Sequence, residues 1–433
     1  MRILIISGEL IGSALCQRFM REGHEVKLYI EDIQRKRCLE GIVTKVEAWE
    51  PELEWVGKDG LIVFDDVGFG EIQDTLRSEG YAVFGGSEES DQLELDRSYA
   101  QRILHSYGIK ILPSFNFNNV DTAIEFLVEN KGQWVVKQNS HISVLNHVGE
   151  KDDASDVIEV LREYKRTGVE KIHLQKRVRG VEVGIARYFN GKDWVGPIEI
   201  NHEHKRLNEG DTGPLTAEMG TVMWHSDNED LPLFAKTLKL IAPHLQKINF
   251  KGDIDINCIV NEAGVWPLEF TPRLGSPSTQ LHCELYESSI AEFFYAVARG
   301  EQHDLQYKKQ FGIVNSIATG PYPFPPDETG INWAEIEHKF EIAHHLLEEG
   351  DHISLHIEEI SKRKDTESDE FFWSGEFGYA AYITAAADTI PEAKKKIERI
   401  RKAITLDEMK YRTDIGDRVH AHDLKKLHEL HLI

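Results

Sequence analysis

Short apolar runs alternate with amphipathic segments over the first hundred residues of the chain. Runs typical of buried strands cover residues 2–6, 25–30, 60–64 and 81–84. Between them, apolar residues recur at helical spacing over 12–22 and 69–79. Such alternation predicts an N-terminal α/β unit, a parallel sheet with helices on both faces. A further helix is expected over 90–107.

Beyond residue 134 the pattern predicts mixed strands and helices. A strand over 134–137 ends on Lys137, a helix is expected over 154–166, and 171–187 is expected to form two strands broken at Gly180. Residues 230–247 are expected to be helical. After the proline-rich stretch 321–326, a strand over 379–384 and a helix over 391–404 predict a small C-terminal α+β unit. The fold class is therefore α/β and α+β, multidomain.

Polar and apolar residues alternate over 253–258 and 268–271, on either side of a turn at 261–264. Alternate residues of a strand share a face, and a pairing of Ile259 with Val265 would set Asp255 opposite Glu269. Opposed carboxylates repel each other unless a cation lies between them. Five oxygen-bearing residues would share that face: Asp253, Asp255, Asn257, Glu269 and Thr271.

Oxygen ligands of this kind suit Mg²⁺, which completes its shell with phosphate oxygens and water. A half-exposed sheet with a solvated polar face is the alternative. Arg273, just past the hairpin, favours the metal interpretation because arginine binds phosphate or carboxylate in bidentate fashion.

A loop rich in turn-forming residues follows Lys205 and Arg206 and extends to Gly220. Small residues let the backbone approach a ligand, and the basic pair offsets phosphate charge. An ordinary surface turn is the alternative interpretation.

The composition excludes some classes of binding partner. The chain has 433 residues, 50 of them basic and 74 acidic, and a net charge of −24. This balance argues against nucleic acid as a partner, and no apolar run is long enough to span a membrane. The four cysteines are far apart, which argues against a disulfide framework and predicts a cytoplasmic protein. Small molecules are the expected partners of a monomer or dimer.

Four segments together resemble the glycinamide ribonucleotide synthetase (phosphoribosylamine–glycine ligase) family of the ATP-grasp superfamily. They occur in family order and span nearly the whole chain. The segments are 87–100 with Gln92-Leu93-Glu94, 203–220 with Asp211-Thr212-Gly213-Pro214, 268–280 with Glu269 and Arg273, and 411–416, Tyr411-Arg412-Thr413-Asp414-Ile415-Gly416.

The resemblance implies a two-lobed ATP-grasp centre over 102–315, with a lid at about 110–187. An N-terminal substrate domain over 1–101 precedes it, and a C-terminal α+β domain over 316–433 follows. The implied reaction is ATP-driven joining of glycine's carboxylate to the amine of phosphoribosylamine through an acyl phosphate. ATP and Mg²⁺ (or Mn²⁺) are the implied cofactors, and the implied substrates are an amino acid and an amine.

The resemblance also assigns roles to residues. Those implied to act in catalysis are Arg273, Lys205 and Asp211. Those implied to bind the nucleotide are Lys137, Gln175, Arg177, Val178 and Glu182. Metal ligands are Glu269 and Thr271, to which the strand pattern adds Asp255. Those implied to contact the substrate are Thr212, Gly213, Pro214, Met219, Gly220 and Gly275.

The chain departs from the family pattern where a ribosylamine phosphate is expected to bind. Glu9 lies in the first loop and Asp65-Asp66 follow the third strand, so negative charge replaces glycine-rich segments. The lid loop at 139–144 lacks the family's glycines and lysine. Three hypotheses remain: the family reaction, the same ligation on a different amine or acid, and a non-catalytic nucleotide-binding protein.

Overall fold

The computed structural model describes residues 1–137, 147–169, 171–363 and 370–433. The lid-loop prediction at 139–144 lies outside these ranges. None of the described helices combines the length and the apolar character that crossing a membrane requires.

A parallel sheet forms the N-terminal unit, as the alternation predicted, but it has five strands in the order β3-β2-β1-β4-β5, of which β3 was not predicted. Its strands are β1 Arg2–Ser7, β2 Glu25–Ile30, β3 Thr44–Lys45, β4 Leu61–Phe64 and β5 Ala82–Phe84. Its helices are α1 Ser13–Arg21, α2 Glu52–Val56 and α3 Gly70–Ser78. Apolar side chains from both faces of the sheet belong to two separate buried clusters, consistent with helices on both sides.

The helix predicted over 90–107 is two helices, α4 Glu88–Leu95 and α5 Arg97–Ser106. Asp96 separates them because its backbone is extended and its carboxylate accepts hydrogen bonds from the Ser98 and Tyr99 N–H groups. This is the N-cap role that aspartate favours.

A four-stranded antiparallel sheet, of order β6-β9-β7-β8, forms a separate small lobe. Its elements are β6 Ser114–Phe117, α6 Val120–Glu129, β7 Trp134–Lys137, β8 His147–Val148, α7 Ser155–Thr167 and β9 Ile172–Lys176. The predicted break at Gly180 is where the chain leaves this lobe for the central sheet.

The central sheet has eight strands in the order β16-β15-β10-β11-β14-β17-β22-β19, and all of its described pairings are antiparallel. The strands are β10 Val181–Asn190, β11 Trp194–Glu203, β14 Gly220–Ser226, β15 Lys251–Asn261, β16 Gly264–Thr271, β17 Phe311–Ala318, β19 Leu355–Ile357 and β22 Tyr379–Ala387. The sheet thus continues past the predicted boundary after residue 315, which falls inside β17.

Two smaller β-structures complete the chain: the hairpin of β12 Arg206–Asn208 with β13 Thr212–Leu215, and a sheet of β18 Lys339–Ile342, β20 Ile360–Lys362, β21 Phe371–Trp373 and β23 Ile404–Leu406. The remaining α-helices are α8 Pro232–Ala235, α9 Ala242–Lys247, α10 Ser278–Leu285, α11 Ile290–Arg299, α12 Ile390–Arg401 and α13 Leu424–Glu429. The strand and helix predicted over 379–404 are confirmed as β22 and α12.

The helix predicted over 230–247 is broken into α8, a 3₁₀ turn at Leu238–Ile241, and α9. Pro232 and Pro243 explain the interruption, because proline is tolerated in the first helical turn but not in a helix interior.

Candidate active site

A cavity of about 750 Å³ lies between the N-terminal unit, the α4–α5 pair and the polar face of the central sheet. Its lining is strongly acidic. Three basic side chains, Arg97, Lys205 and Arg273, face nine carboxylates: Glu9, Asp66, Glu94, Glu199, Glu203, Glu218, Asp253, Asp255 and Glu269. The cavity therefore favours cations or cation-bound anions.

Lys205 lies at the centre of a carboxylate cluster. Three carboxylate oxygens lie within 3.4 Å of its Nζ: Glu203 Oε2 at 2.8 Å, Glu269 Oε1 at 3.3 Å and Glu182 Oε1 at 3.4 Å. The Asn257 amide donates to Glu182 Oε1 and to Glu203 Oε2, each at 3.0 Å. Five side chains from β10, β11, β15, β16 and the turn after β11 thus converge on one point.

The pKa values reflect this crowding. Lys205 lowers the pKa of Glu269 to about 2, against the opposing effect of burial. Burial, reinforced by Glu203 and Glu199, raises the pKa of Asp255 well above its usual value. Burial also raises the pKa of Glu203, although Lys205 opposes it. One ammonium does not neutralise this group, and its oxygen donors are the ligands that Mg²⁺ and Mn²⁺ prefer.

The hairpin has a different register from the predicted one. Asp255 lies opposite Thr271, and Asn257 lies opposite Glu269. The turn pairs Asn261 with Gly264, which shifts the ladder by one residue, and a bulge beyond Asn257 shifts it by another. Since a shift of two residues keeps every side chain on its face, Asp255, Glu269 and Thr271 all still line the cavity.

Gly184 on β10 has no side chain, which leaves room for polar groups to contact one another across the sheet. A Cβ on Gly184 would lie 2.0 Å from Asn201 Oδ1, so the Asn201 side chain occupies that space. Its amide donates to Glu199 Oε1 at 2.8 Å and to Asp255 Oδ2 at 2.7 Å. Asn201 thereby connects the carboxylates of β11 and β15.

Arg273 lies at the opposite wall of the cavity, between the N-terminal unit and α4. Its guanidinium donates to Glu94 Oε1 at 2.9 Å and lies 3.2 Å from Asp66 Oδ1. Arg97, at the start of α5, lies 3.8 Å from Glu269 Oε2. Gly275 also lines the cavity. Arg97 therefore lies beside the carboxylate cluster around Lys205, whereas Arg273 pairs with the carboxylates of the opposite wall.

The predicted nucleotide-binding residues lie at the junction between the small lobe and the central sheet. Lys137 ends β7, and burial together with Arg97 lowers its pKa to about 7. Gln175 is buried in β9, and its Nε2 has no partner among the described residues. The Arg177 guanidinium donates to the Gly149 carbonyl and pairs with Glu150, Val178 is half-buried beside it, and Glu182 begins the central sheet.

The predicted substrate loop lies mostly outside the cavity lining. Asp211, Thr212, Gly213 and Pro214 are on or beside the β12–β13 hairpin, and Met219 and Gly220 are buried at the start of β14. From this segment, Leu215, Thr216, Ala217 and Glu218 line the cavity. Asp211 instead pairs with Arg412 at 2.9 Å and Arg418 at 2.7 Å. Contact of these loop residues with substrate remains a prediction.

The turn after β1 is closed by a carboxylate of the protein itself. Asp65 is fully buried and accepts hydrogen bonds from Ser7 Oγ at 2.5 Å, Gly12 N at 2.7 Å and Gly8 N at 3.1 Å. Backbone N–H groups at such a strand-to-helix turn are the donors that ordinarily bind an anion. Here the Asp65 carboxyl group of the protein itself already satisfies them.

Sequence reasoning missed the polar stripe of β11. Glu199, Asn201 and Glu203 alternate with apolar or buried neighbours, and all three line the cavity. The same period-two signal that singled out β15 was present in β11, so a search for polar alternation in every strand would have found them.

The chain is similar in sequence to known proteins. The sequence model of the phosphoribosylglycinamide synthetase ATP-grasp (A) domain matches residues 95–279. The phosphoribosylamine–glycine ligase of Helicobacter pylori J99 is 23% identical over 368 residues, covering 80% of this chain and 79% of the relative. The enzyme of the same name from Halalkalibacterium halodurans is 23% identical over 357 residues, which cover 80% of this chain and 79% of the relative.

Solved structures show the same architecture. Phosphoribosylamine–glycine ligase from Thermotoga maritima superposes with a TM-score of 0.69 at 18% identity, covering 96% of this chain and all of that one (100%). Biotin carboxylase from Campylobacter jejuni superposes with a TM-score of 0.63 at 12% identity, covering 99% and 98%.

The sequence of residues 95–279 matches an ATP-grasp domain, and the solved structures share the fold, so the predicted fold class is confirmed. Within that class, the resemblance to glycinamide ribonucleotide synthetase predicted from four motifs is also confirmed.

Proposed function

We propose that the protein is an ATP-dependent carboxylate–amine ligase that activates a carboxylate as an acyl phosphate. The observation that carries this is the convergence of Glu182, Glu203 and Glu269 on Lys205 in the cavity of an ATP-grasp fold. Glycine and phosphoribosylamine, the substrates named by its relatives, are the first candidates.

The proposed role of each residue follows from its charge. Glu269, with Asp255 and Thr271 beside it, would hold Mg²⁺ or Mn²⁺, which neutralises phosphate charge when bound. Lys137 would pair with ATP phosphates once protonated, and Gln175 to Val178 would face the nucleotide. Lys205 and Arg273 would stabilise the charge on the transferring phosphoryl group and the carboxylate. We place the protein in the cytoplasm, because its four cysteines are unpaired and buried.

Turnover tests the proposal directly. Full-length protein with Mg-ATP, glycine and phosphoribosylamine should release ADP, monitored by a coupled assay. Glu269→Gln should lower the rate by about 100-fold or more, because it removes a charge from the metal-binding group. Asp230→Asn, which removes a carboxylate with a 95% exposed side chain, is the matched control and should leave the rate unchanged. Equal rates for both variants would contradict the assignment.

A second candidate function is the same ATP-dependent ligation with a different amine as the substrate. Asp65 occupies the turn after β1, and Asp66 and Glu94 flank Arg273, so this end of the cavity holds negative charge where a sugar phosphate would need donors. We propose an uncharged or cationic amine as the alternative substrate. A screen of amines for phosphate release decides between them, and activity confined to phosphoribosylamine would rule the second candidate out.

A further inference from the structure

Two histidines and a glutamate meet beneath one end of the cavity, outside the group around Lys205. Glu199 comes from β11, His225 from β14 and His282 from α10, and one ligand atom of each lies within 4.8 Å of the others. The His282 Nε2 lies 2.6 Å from Glu199 Oε2, and the His225 Nε2 lies 3.9 Å from the same oxygen. Three separate elements thus aim nitrogen and oxygen donors at one point.

The cluster is buried at the edge of the cavity. The side chains of His225, His282 and Glu199 are 0%, 1% and 5% exposed. Glu199 nevertheless lines the cavity, as does Asp253. Three protein ligands leave a fourth position for an exchangeable ligand, as in zinc sites of the catalytic type.

Surrounding hydrogen bonds orient Glu199 and His282, and the Tyr286 hydroxyl lies 3.4 Å from His225 Nε2. Asn201 donates to the other Glu199 oxygen at 2.8 Å. The Tyr188 hydroxyl lies 3.1 Å from His282 Nδ1, which leaves Nε2 directed at Glu199. Partners that hold the far nitrogen of a histidine or the far oxygen of a carboxylate are typical of metal sites.

The cluster is incomplete as a purely structural group. The Nδ1 atom of His225 is buried and has no partner among the described residues.

The donor set differs from that of the Lys205 group. Asp253, beside the cluster, lies four residues before Asn257 on β15, which corresponds to roughly 13 Å along a strand. The Lys205 group offers oxygens, which suit Mg²⁺, whereas two imidazoles and one carboxylate suit a borderline transition metal.

We propose that Glu199, His225 and His282 form a second metal site that takes one divalent transition metal ion, Zn²⁺ in the first instance, with its remaining coordination position open to the cavity. This proposal does not depend on the ligase activity.

Metal titration of the full-length protein tests it. After treatment with a chelator, the wild type should bind one equivalent of Zn²⁺ with a Kd below about 1 μM, measured by competition with a chromophoric chelator. Co²⁺ should bind at the same stoichiometry and show the visible absorption of a four-coordinate ion. His225→Ala and His282→Ala should each weaken Zn²⁺ binding at least tenfold.

Two controls locate the ion. His422→Ala removes an exposed histidine near the C-terminus and should leave binding unchanged. Glu269→Gln removes a ligand from the oxygen-rich group and should also leave the Zn²⁺ equivalent intact. Circular dichroism checks that each variant is folded, and Glu199→Gln replaces any histidine variant that is not.

Three results would overturn the proposal. They are a folded wild type that binds no Zn²⁺ at micromolar concentration, full affinity in folded His225→Ala or His282→Ala, and loss of the bound equivalent in His422→Ala or Glu269→Gln.

Discussion

Asp65 shows how a single buried carboxylate can shape both stability and specificity. Burial, reinforced by Asp66, raises its pKa from an ordinary value of 3.8 to about 7, although three hydrogen bonds favour the charged form. The folded state therefore binds a proton more tightly than the unfolded chain. The stability this contributes is fully present below about pH 4 and is lost as the pH rises through about 7.

Asp65→Asn should reveal this linkage. The variant loses an acceptor for the turn after β1, and it no longer titrates. The difference in unfolding free energy between wild type and variant should therefore shift against the wild type between pH 4 and pH 7, by up to about 4 kcal/mol. Urea unfolding at several pH values measures it. A difference that stays constant with pH, as expected for the exposed control Asp230→Asn, would show that Asp65 remains charged.

At the scale of elements, the arrangement of polar side chains on the central sheet depends on a glycine in β10. Gly184 leaves room for Asn201, whose amide connects Glu199 and Asp255. A side chain at this position would have to displace Asn201. The arrangement of carboxylates across three strands is therefore set partly by a glycine that makes no polar contact of its own.

Gly184→Ala should impair activity more than stability. Its Cβ would lie 2.0 Å from Asn201 Oδ1, so the connection between the two carboxylates would break. We expect kcat for ADP release to fall at least tenfold. Gly312→Ala in β17 of the same sheet is the matched control, since its nearest contacts are Leu285 and Leu281 carbons. It should lower Tm and spare kcat; equal loss of kcat in both would refute the role of Asn201.

The hairpin β15–β16 shows why elements are easier to predict than their pairing. Alternation correctly predicted both strands and the shared face of Asp255, Glu269 and Thr271. It did not predict the register, because the turn offset and the bulge depend on local backbone geometry that periodicity does not encode. The break at Asp96 was missed for a related reason, since helical spacing continues across it.

At the scale of the whole molecule, the C-terminal segment holds the loop that follows β11. Asp211 pairs with Arg412, whose side chain is 1% exposed, and with Arg418. Arg412 also binds Asp414. The motifs at 203–220 and 411–416, far apart in sequence, are therefore one structural unit.

Arg418→Gln should loosen the β12–β13 hairpin. It removes one of the two cations that hold Asp211, while Arg412 keeps the fold intact. Hydrogen exchange of residues 206–215 should become several-fold faster. Arg166→Gln breaks an exposed ion pair with Glu163 on α7 and is the control, with no expected change in that hairpin. Unchanged exchange in Arg418→Gln would show that the C-terminal segment does not hold the loop.

Local patterning was enough to predict the N-terminal parallel α/β unit and the central strands β10, β15, β16 and β22, whereas the resemblance of four motifs to a known family led to the ATP-grasp class. The periodicity of strands and helices repeats over two to four residues, so a single segment is enough to predict the element it forms. The convergence of Glu182, Glu203 and Glu269 on Lys205, the closure of the first turn by Asp65, and the meeting of Glu199 with His225 and His282 arise only in the folded chain. Each joins groups from different elements, and sequence periodicity contains no record of which distant elements will pack together.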